Sequence, residues 1–245
     1  MNRRKFLHRS ALALLATPFL GCLGGQGFRF EKNQVIGCFG DSITAQKDGY
    51  VKILQSKVEG AHPEMGLKFI NHGLSSETVT GLTENDHPGP RPYLFDRLDG
   101  ILDADPIHIA TFCYGINDGI YGKPSEELFN SFKIGVYSFL EKMRQRNIPA
   151  LLLTPCPLVL ETAPIVSSVS KDFSYKNPYP EYDEEVLQEF KRIILHMNHP
   201  FAKAKIDVHT PLLENQQVCY DKDPIHPNLN GHEVIANTII ENLAF

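Results

Sequence analysis

The sequence predicts an α/β fold, a three-layer α/β/α sandwich built on a five-stranded parallel sheet. Three observations predict it. Short apolar runs recur at residues 34–39, 67–70, 107–113, 150–154 and 205–208, and each has the length and side-chain type of a buried strand. A stretch long enough for a helical crossover follows each run, and such β-α alternation gives a parallel sheet covered on both faces. At 245 residues, with 42 % hydrophobic and 22 % charged side chains, the chain can bury one full core and shows no composition typical of disorder.

The first residues precede that pattern. Residues 1–9 carry Arg3, Arg4, Lys5 and Arg9, and the apolar run that follows, 11–20, is half the roughly 20 residues a membrane span requires. Residues 1–21 therefore read as an export signal, with a short uncleaved anchor as the alternative. Arg3-Arg4 before Phe6-Leu7 resembles a twin-arginine signal. Leu20-Gly21-Cys22 resembles the lipobox of bacterial lipoproteins, although Phe19 stands where leucine is usual, so Cys22 is a lipidation candidate and membrane attachment through it is expected as an option. Residues 22–33 read as a linker and 34–245 as the folded domain. The net charge of −5 becomes more negative once the basic signal is removed, which argues against nucleic acid as a partner.

The first strand leads into Gly40-Asp41-Ser42, the second into Asn71-His72-Gly73, and the third into Gly115-Ile116-Asn117-Asp118. The clearest helix begins after Ser125, a good N-cap with Glu126 and Glu127 in its first turn, and carries Leu128, Phe132, Val136, Phe139 and Met143 on one stripe. Further helices are expected at about 182–197 and from about 229 to the C-terminus. Cys38, Cys113 and Cys156 fall in or at the end of strand-like runs, where cysteine acts as a small buried hydrophobe. No C-x-x-C pair is present.

Just before the last helix stands Asp223-Pro224-Ile225-His226. Asp at the first and Pro at the second position favour a type I turn, whose end Cα atoms lie under about 7 Å apart, so carboxylate and imidazole can meet. An Asp bonded to one ring nitrogen orients the imidazole and leaves the other nitrogen to take a proton from a serine. Ligands of parallel α/β sheets bind beyond the carboxyl ends of the strands. Ser42, at such an end, can then present its hydroxyl to His226 and its backbone N–H to a developing oxyanion. Gly73 offers a second N–H, Asn117 a side-chain amide as a third donor.

The blocks Gly40-Asp41-Ser42-Ile43, Asn71-His72-Gly73, Gly115-Ile116-Asn117-Asp118 and Asp223-Pro224-Ile225-His226 resemble, in order and spacing, the four signature blocks of the SGNH or GDSL-type esterases and lipases. That resemblance implies a flavodoxin-like sandwich, Ser42 as nucleophile, His226 as base, Asp223 as its orienting partner, and an oxyanion hole of Ser42, Gly73 and Asn117. It implies ester hydrolysis with no cofactor and no metal. One departure is that the second block runs Gly73-Leu-Ser-Ser76 where the family often has a Ser-Gly pair.

Two long segments, 84–100 and 156–181, are rich in proline and aromatic side chains and are expected to form the pocket rim. Neither is strongly apolar, and Tyr175, Tyr179 and Tyr182 could stack on a sugar. Short acyl esters or O-acetylated carbohydrate are therefore expected ahead of a lipase or lysophospholipase substrate. The substrate would be a small molecule or glycan ester. His196 and His199 fall at a helix end, where the dipole favours histidine, and Asp41 is expected to cap a turn or helix. A haloacid-dehalogenase-type phosphatase is the rival for Asp41, but Ile43 occupies the place of the second aspartate it would need. A non-catalytic carbohydrate-binding member is the other rival.

Overall fold

A computed structural model describes residues 28–161 and 172–245. The expected export signal and Cys22 lie outside the described residues.

In chain order the elements are β1 (Phe28–Arg29), β2 (Val35–Gly40), α1 (Ser42–Ala45), α2 (Tyr50–Ala61), β3 (Lys68–Gly73), α3 (Leu98–Ala104), β4 (Ile109–Cys113), α4 (Glu126–Gln145) and β5 (Ala150–Leu153). A π-helical stretch, Asp183–Leu187, then leads into α5 (Gln188–Leu195). After it come β6 (Ala202–Ile206), α6 (His209–Glu214), α7 (Gln216–Cys219), α8 (Leu229–Glu241) and β7 (Leu243–Ala244).

Five of these strands form one parallel sheet in the order β3-β2-β4-β5-β6. The α/β sandwich predicted from the alternating runs is the fold observed. Its order reverses between β2 and β4, and at such a switch point the loops leaving adjacent strands part to open a crevice. The centre of the sheet is dry: every residue of β4 and β5 is buried, as is β2 from Ile36 onward. Ser125 caps α4, its Oγ accepting from Leu128 N at 3.1 Å, and Phe132, Val136, Phe139 and Met143 are fully buried against the sheet. Phe132 stacks on Phe190 of α5 with ring centroids 4.0 Å apart.

The edges depart from expectation. β6 starts at Ala202, earlier than residue 205, because Ala202-Lys-Ala-Lys-Ile206 alternates apolar and charged side chains as an edge strand with one wet face does. β3 continues past Ile70 through Asn71 and His72 to Gly73, in register with Cys38, Phe39 and Gly40. Residues 28–33, the described part of the expected linker, pack on the domain. Phe28–Arg29 pairs in parallel with Leu243–Ala244, and Phe30, 3 % exposed, stacks on Phe245 at 5.3 Å, so apolar burial orders this segment before residue 34.

Candidate active site

β2 carries the chain to Gly40, where no side chain fits. A Cβ there would lie 2.0 Å from Thr44 Oγ1 and 2.7 Å from Cys113 O. Asp41 is the N-cap of α1, its Oδ1 accepting from Ile43 N at 3.0 Å. That cap makes Ser42 the first helical residue, at the sheet's switch point, and the first N–H groups of a helix have no acceptor within the helix. Asp41 is itself buried, and burial, with the nearby Asp118 carboxylate adding to it against the Ile43 N–H, pushes its carboxyl up to about 7.

The Asp223-to-His226 segment is a closed hydrogen-bonded turn. Asp223 Oδ1 accepts from Ile225 N at 2.8 Å and from His226 N at 3.1 Å, which leaves Oδ2 to meet His226 Nδ1 at 2.7 Å. On the far side of the ring, Nε2 lies 2.8 Å from Ser42 Oγ. Since Nδ1 faces a carboxylate it carries the proton, and Nε2 of the neutral ring is free to accept from the serine hydroxyl. The turn is braced by Val159 N, which donates to Pro224 O at 2.9 Å, and by Asn228, which caps α8. Burial alone would lower the His226 pKa, but the Asp223 hydrogen bond and charge, with the Asp41 charge, outweigh it and hold the imidazole above its ordinary 6.5. Asp223 shifts oppositely: partial burial raises its pKa, and bonds from His226 and the Ile225 N–H bring it below the usual carboxylate value.

Ser42, His226 and Asn117 line one cavity of about 280 Å³. Asn117 leaves the end of β4 with its side chain buried. Its Oδ1 accepts from Tyr121 OH at 3.0 Å, and its Nδ2 lies 3.4 Å from Glu77 O. A carbonyl can only accept, so the nitrogen must occupy that side, and its second N–H is left for the cavity. Tyr121 reaches this position through a backbone at φ 57°, following Ile120 at φ 48°. Asp118 points the other way and ties the loop down, Oδ1 accepting from Val79 N at 2.7 Å and Thr80 N at 2.9 Å.

Gly73 is not brought to the cavity. Its N–H donates to Asn71 Oδ1 at 2.9 Å, and a Cβ on it would fall 2.3 Å from Ala45 N. The glycine is needed for the close approach of β3 to α1, and the expectation that its amide faces an oxyanion is corrected. Ser75 and Ser76 line the cavity instead. Ser76 adopts φ 65°, its carbonyl accepts from Arg91 Nη1 at 3.2 Å, and among the described residues its N–H has no acceptor. The sequence signal for Ser76 was its place in a block that often carries glycine there. Arg91 and His87, which also line the cavity, were legible only as members of an expected rim loop, and of the three tyrosines expected to meet a sugar Tyr175 alone lines it. Among the described residues no group of three or more His, Cys, Asp or Glu side chains could hold a metal ion. His199 Nε2 instead meets Glu141 Oε1 at 2.9 Å.

Comparison with known proteins bears on the fold and the family. An acetylxylan esterase from Geobacillus stearothermophilus is 20 % identical over 210 residues, covering 83 % of this chain and 84 % of that protein. Among solved structures, a catalytic mutant of an acetylxylan esterase from the same organism superposes with a TM-score of 0.65 at 16 % identity, covering 87 % of this chain and 95 % of that one. An α/β hydrolase enzyme from the metagenome of Lake Arreo, Spain, gives 0.61 at 19 % identity, over 87 % and 96 %. The model of the GDSL-like lipase/acylhydrolase family matches residues 38–234, a span that holds Ser42, Asn117, Asp223 and His226, and the chain belongs to that family.

Proposed function

We propose that this protein is a serine esterase that removes short acyl groups, O-acetyl above all, from carbohydrate esters through an acyl-enzyme on Ser42. The observation that carries the reading is the unbroken relay from Asp223 to His226 to Ser42, at 2.7 and 2.8 Å, opening on a cavity. In the first step Ser42 Oγ bonds to the ester carbonyl carbon as its proton passes to His226 Nε2. Asp223 holds the ring and stabilises the imidazolium. The oxyanion is met by the N–H groups of Ser42 and Ser76 and by Asn117 Nδ2. His226 returns the proton to the leaving alcohol as the C–O bond breaks. Water, activated by the same ring, then attacks the acyl-enzyme, and the carboxylic acid leaves with Ser42 restored.

The substrate class is supported by the lining. At about 280 Å³ the cavity lies just below the usual range of ligand sites, roughly 300–1,000 Å³, and its wall mixes serine, histidine, arginine and asparagine side chains with Pro88, Tyr121, Tyr175 and Ile225. An acetyl group fits a space of that size, whereas a long acyl chain would outgrow it. The name borne by the acetylxylan esterase relative supports a glycan as the alcohol half. The reading includes export, with Cys22 as a lipid attachment point, on the strength of the N-terminal residues.

Initial rates on a series of esters of increasing acyl length, beside acetylated xylo-oligosaccharides, test the substrate. The value of kcat/KM should be highest for acetyl and fall steadily with chain length. A maximum at eight carbons or beyond would replace this reading with a lipase.

A further inference from the structure

Ser76 poses a physical question. A residue with a Cβ pays about 1–2 kcal/mol to stand in the left-handed region, so something must hold it at φ 65°. Two hydrogen bonds do so among the described residues: Glu77 N donates to Leu74 O at 3.2 Å, closing the turn over Ser75 and Ser76, and Arg91 Nη1 donates to Ser76 O at 3.2 Å. Arg91 is in turn gripped by Glu84: Nε donates to Oε2 at 2.6 Å and Nη2 to Oε1 at 2.5 Å, with both side chains 2 % exposed. The Tyr175 backbone N–H is a further donor to the Glu84 carboxylate. On its other flank the guanidinium stands 5.7 Å from the centroid of the Tyr121 ring, and Tyr121 OH orients Asn117.

We propose that Arg91, fixed by Glu84, is a positioning residue that sets both oxyanion donors beyond Ser42, the Ser76 N–H through its bond to the Ser76 carbonyl and the Asn117 amide through Tyr121. This rests on the reading of those groups as donors in ester hydrolysis. A bidentate fork held by a carboxylate leaves a planar donor whose direction is fixed, and it can reach Ser76 O only from that direction. With its charge met by a buried carboxylate, Arg91 has little to offer an anionic substrate directly. Burial opposes ionisation of both partners, yet their mutual bonds keep Glu84 below the usual carboxylate range and Arg91 above the usual guanidinium one, so the pair is charged wherever the relay works.

The test is steady-state kinetics of Arg91→Lys on an acetyl ester, with affinity for a boronic acid that adds to the serine as a tetrahedral anion. Lysine keeps the charge, but its three N–H donors radiate from one nitrogen and cannot reproduce the fork on Glu84 while reaching Ser76 O. Displacing the oxyanion donors by a fraction of an ångström is expected to lower kcat tenfold or more, by about the 10²-fold scale of such misplacements. KM should stay within about threefold, and boronate affinity should weaken by the same factor as kcat/KM. Adding Ser76→Gly, which removes the cost of the left-handed backbone, should restore part of kcat. A folded Arg91→Lys with unchanged kcat overturns the proposal, and so does a rise in KM alone, which would make Arg91 a substrate contact. Should Arg91→Lys fail to fold, Glu84→Gln carries the test with the same expected split and the same contrary results. Ser42→Ala assayed in parallel separates the levels, because turnover persisting there defeats the esterase reading, whereas loss there with full kcat at Arg91→Lys defeats only this inference.

Discussion

His226 is the base of the proposed relay, and its environment makes a signed prediction. The base must be neutral, so kcat/KM should rise with pH through the imidazole pKa, which Asp223 and Asp41 hold above 6.5 against the opposing effect of burial. Asp223→Asn removes the largest upward contribution and leaves burial in place. The acid limb should then move to lower pH than its wild-type midpoint as kcat/KM falls. A pH profile of both proteins from 5 to 9 checks this, and a flat wild-type profile would contradict it. Asn117 can be tested by removal, since its donor is a side chain. Asn117→Ala should lower kcat by roughly 10²–10³ at little change in KM, the cost of one preorganised oxyanion donor. Steady-state kinetics decide it, with Asp118→Asn as the control: its Oδ1 can keep both loop bonds, so its effect should be smaller. At this scale the sequence was most legible where geometry is local. Asp223 and His226 lie within one turn, and proline after each leaves few conformations. Which amide faces the cavity was not legible at Gly73, because the answer depends on Asn71 Oδ1 capturing that N–H.

Elements place these residues through close packing more than through propensity. α1 is only four residues long, Ser42–Ala45, yet β3 presses its last residue against it so closely that Gly73 has no room for a methyl group. Gly73→Ala should therefore displace α1, with Ser42 at its start, and destabilise the fold by about 1–3 kcal/mol, the usual cost of overpacking. Urea unfolding measures the loss, and a parallel fall in kcat is expected because the nucleophile's own helix moves. Unchanged stability would mean that β3 ends more loosely than described. The helix after Ser125 was legible from its cap and stripe, as the buried Phe132, Val136 and Phe139 show. The π-helical stretch Asp183–Leu187 was not, since one inserted residue per turn leaves no mark on an apolar pattern. The Glu84 and Arg91 pair escaped for a related reason. Six residues of irregular loop separate them, and no periodicity relates loop residues to each other.

At the scale of the molecule, one topological fact assembles the site. Four segments far apart in sequence, ending β2, ending β4, after β3 and before α8, meet at one rim because all five strands of the main sheet run parallel and the order reverses between β2 and β4. The alternation of apolar runs was enough to read this architecture, since a parallel sheet admits few arrangements once crossovers are right-handed. Strand limits at the edges were less legible, because an edge strand needs apolar side chains on one face only, as β6 illustrates. The central claim built on this frame is that Ser42 carries the acyl group. Intact-mass and peptide mapping after treatment with a fluorophosphonate tests it most directly. The account predicts a single adduct on Ser42 that is absent from a folded Ser42→Ala protein, and an adduct on another residue, or one that persists in that variant, would contradict it.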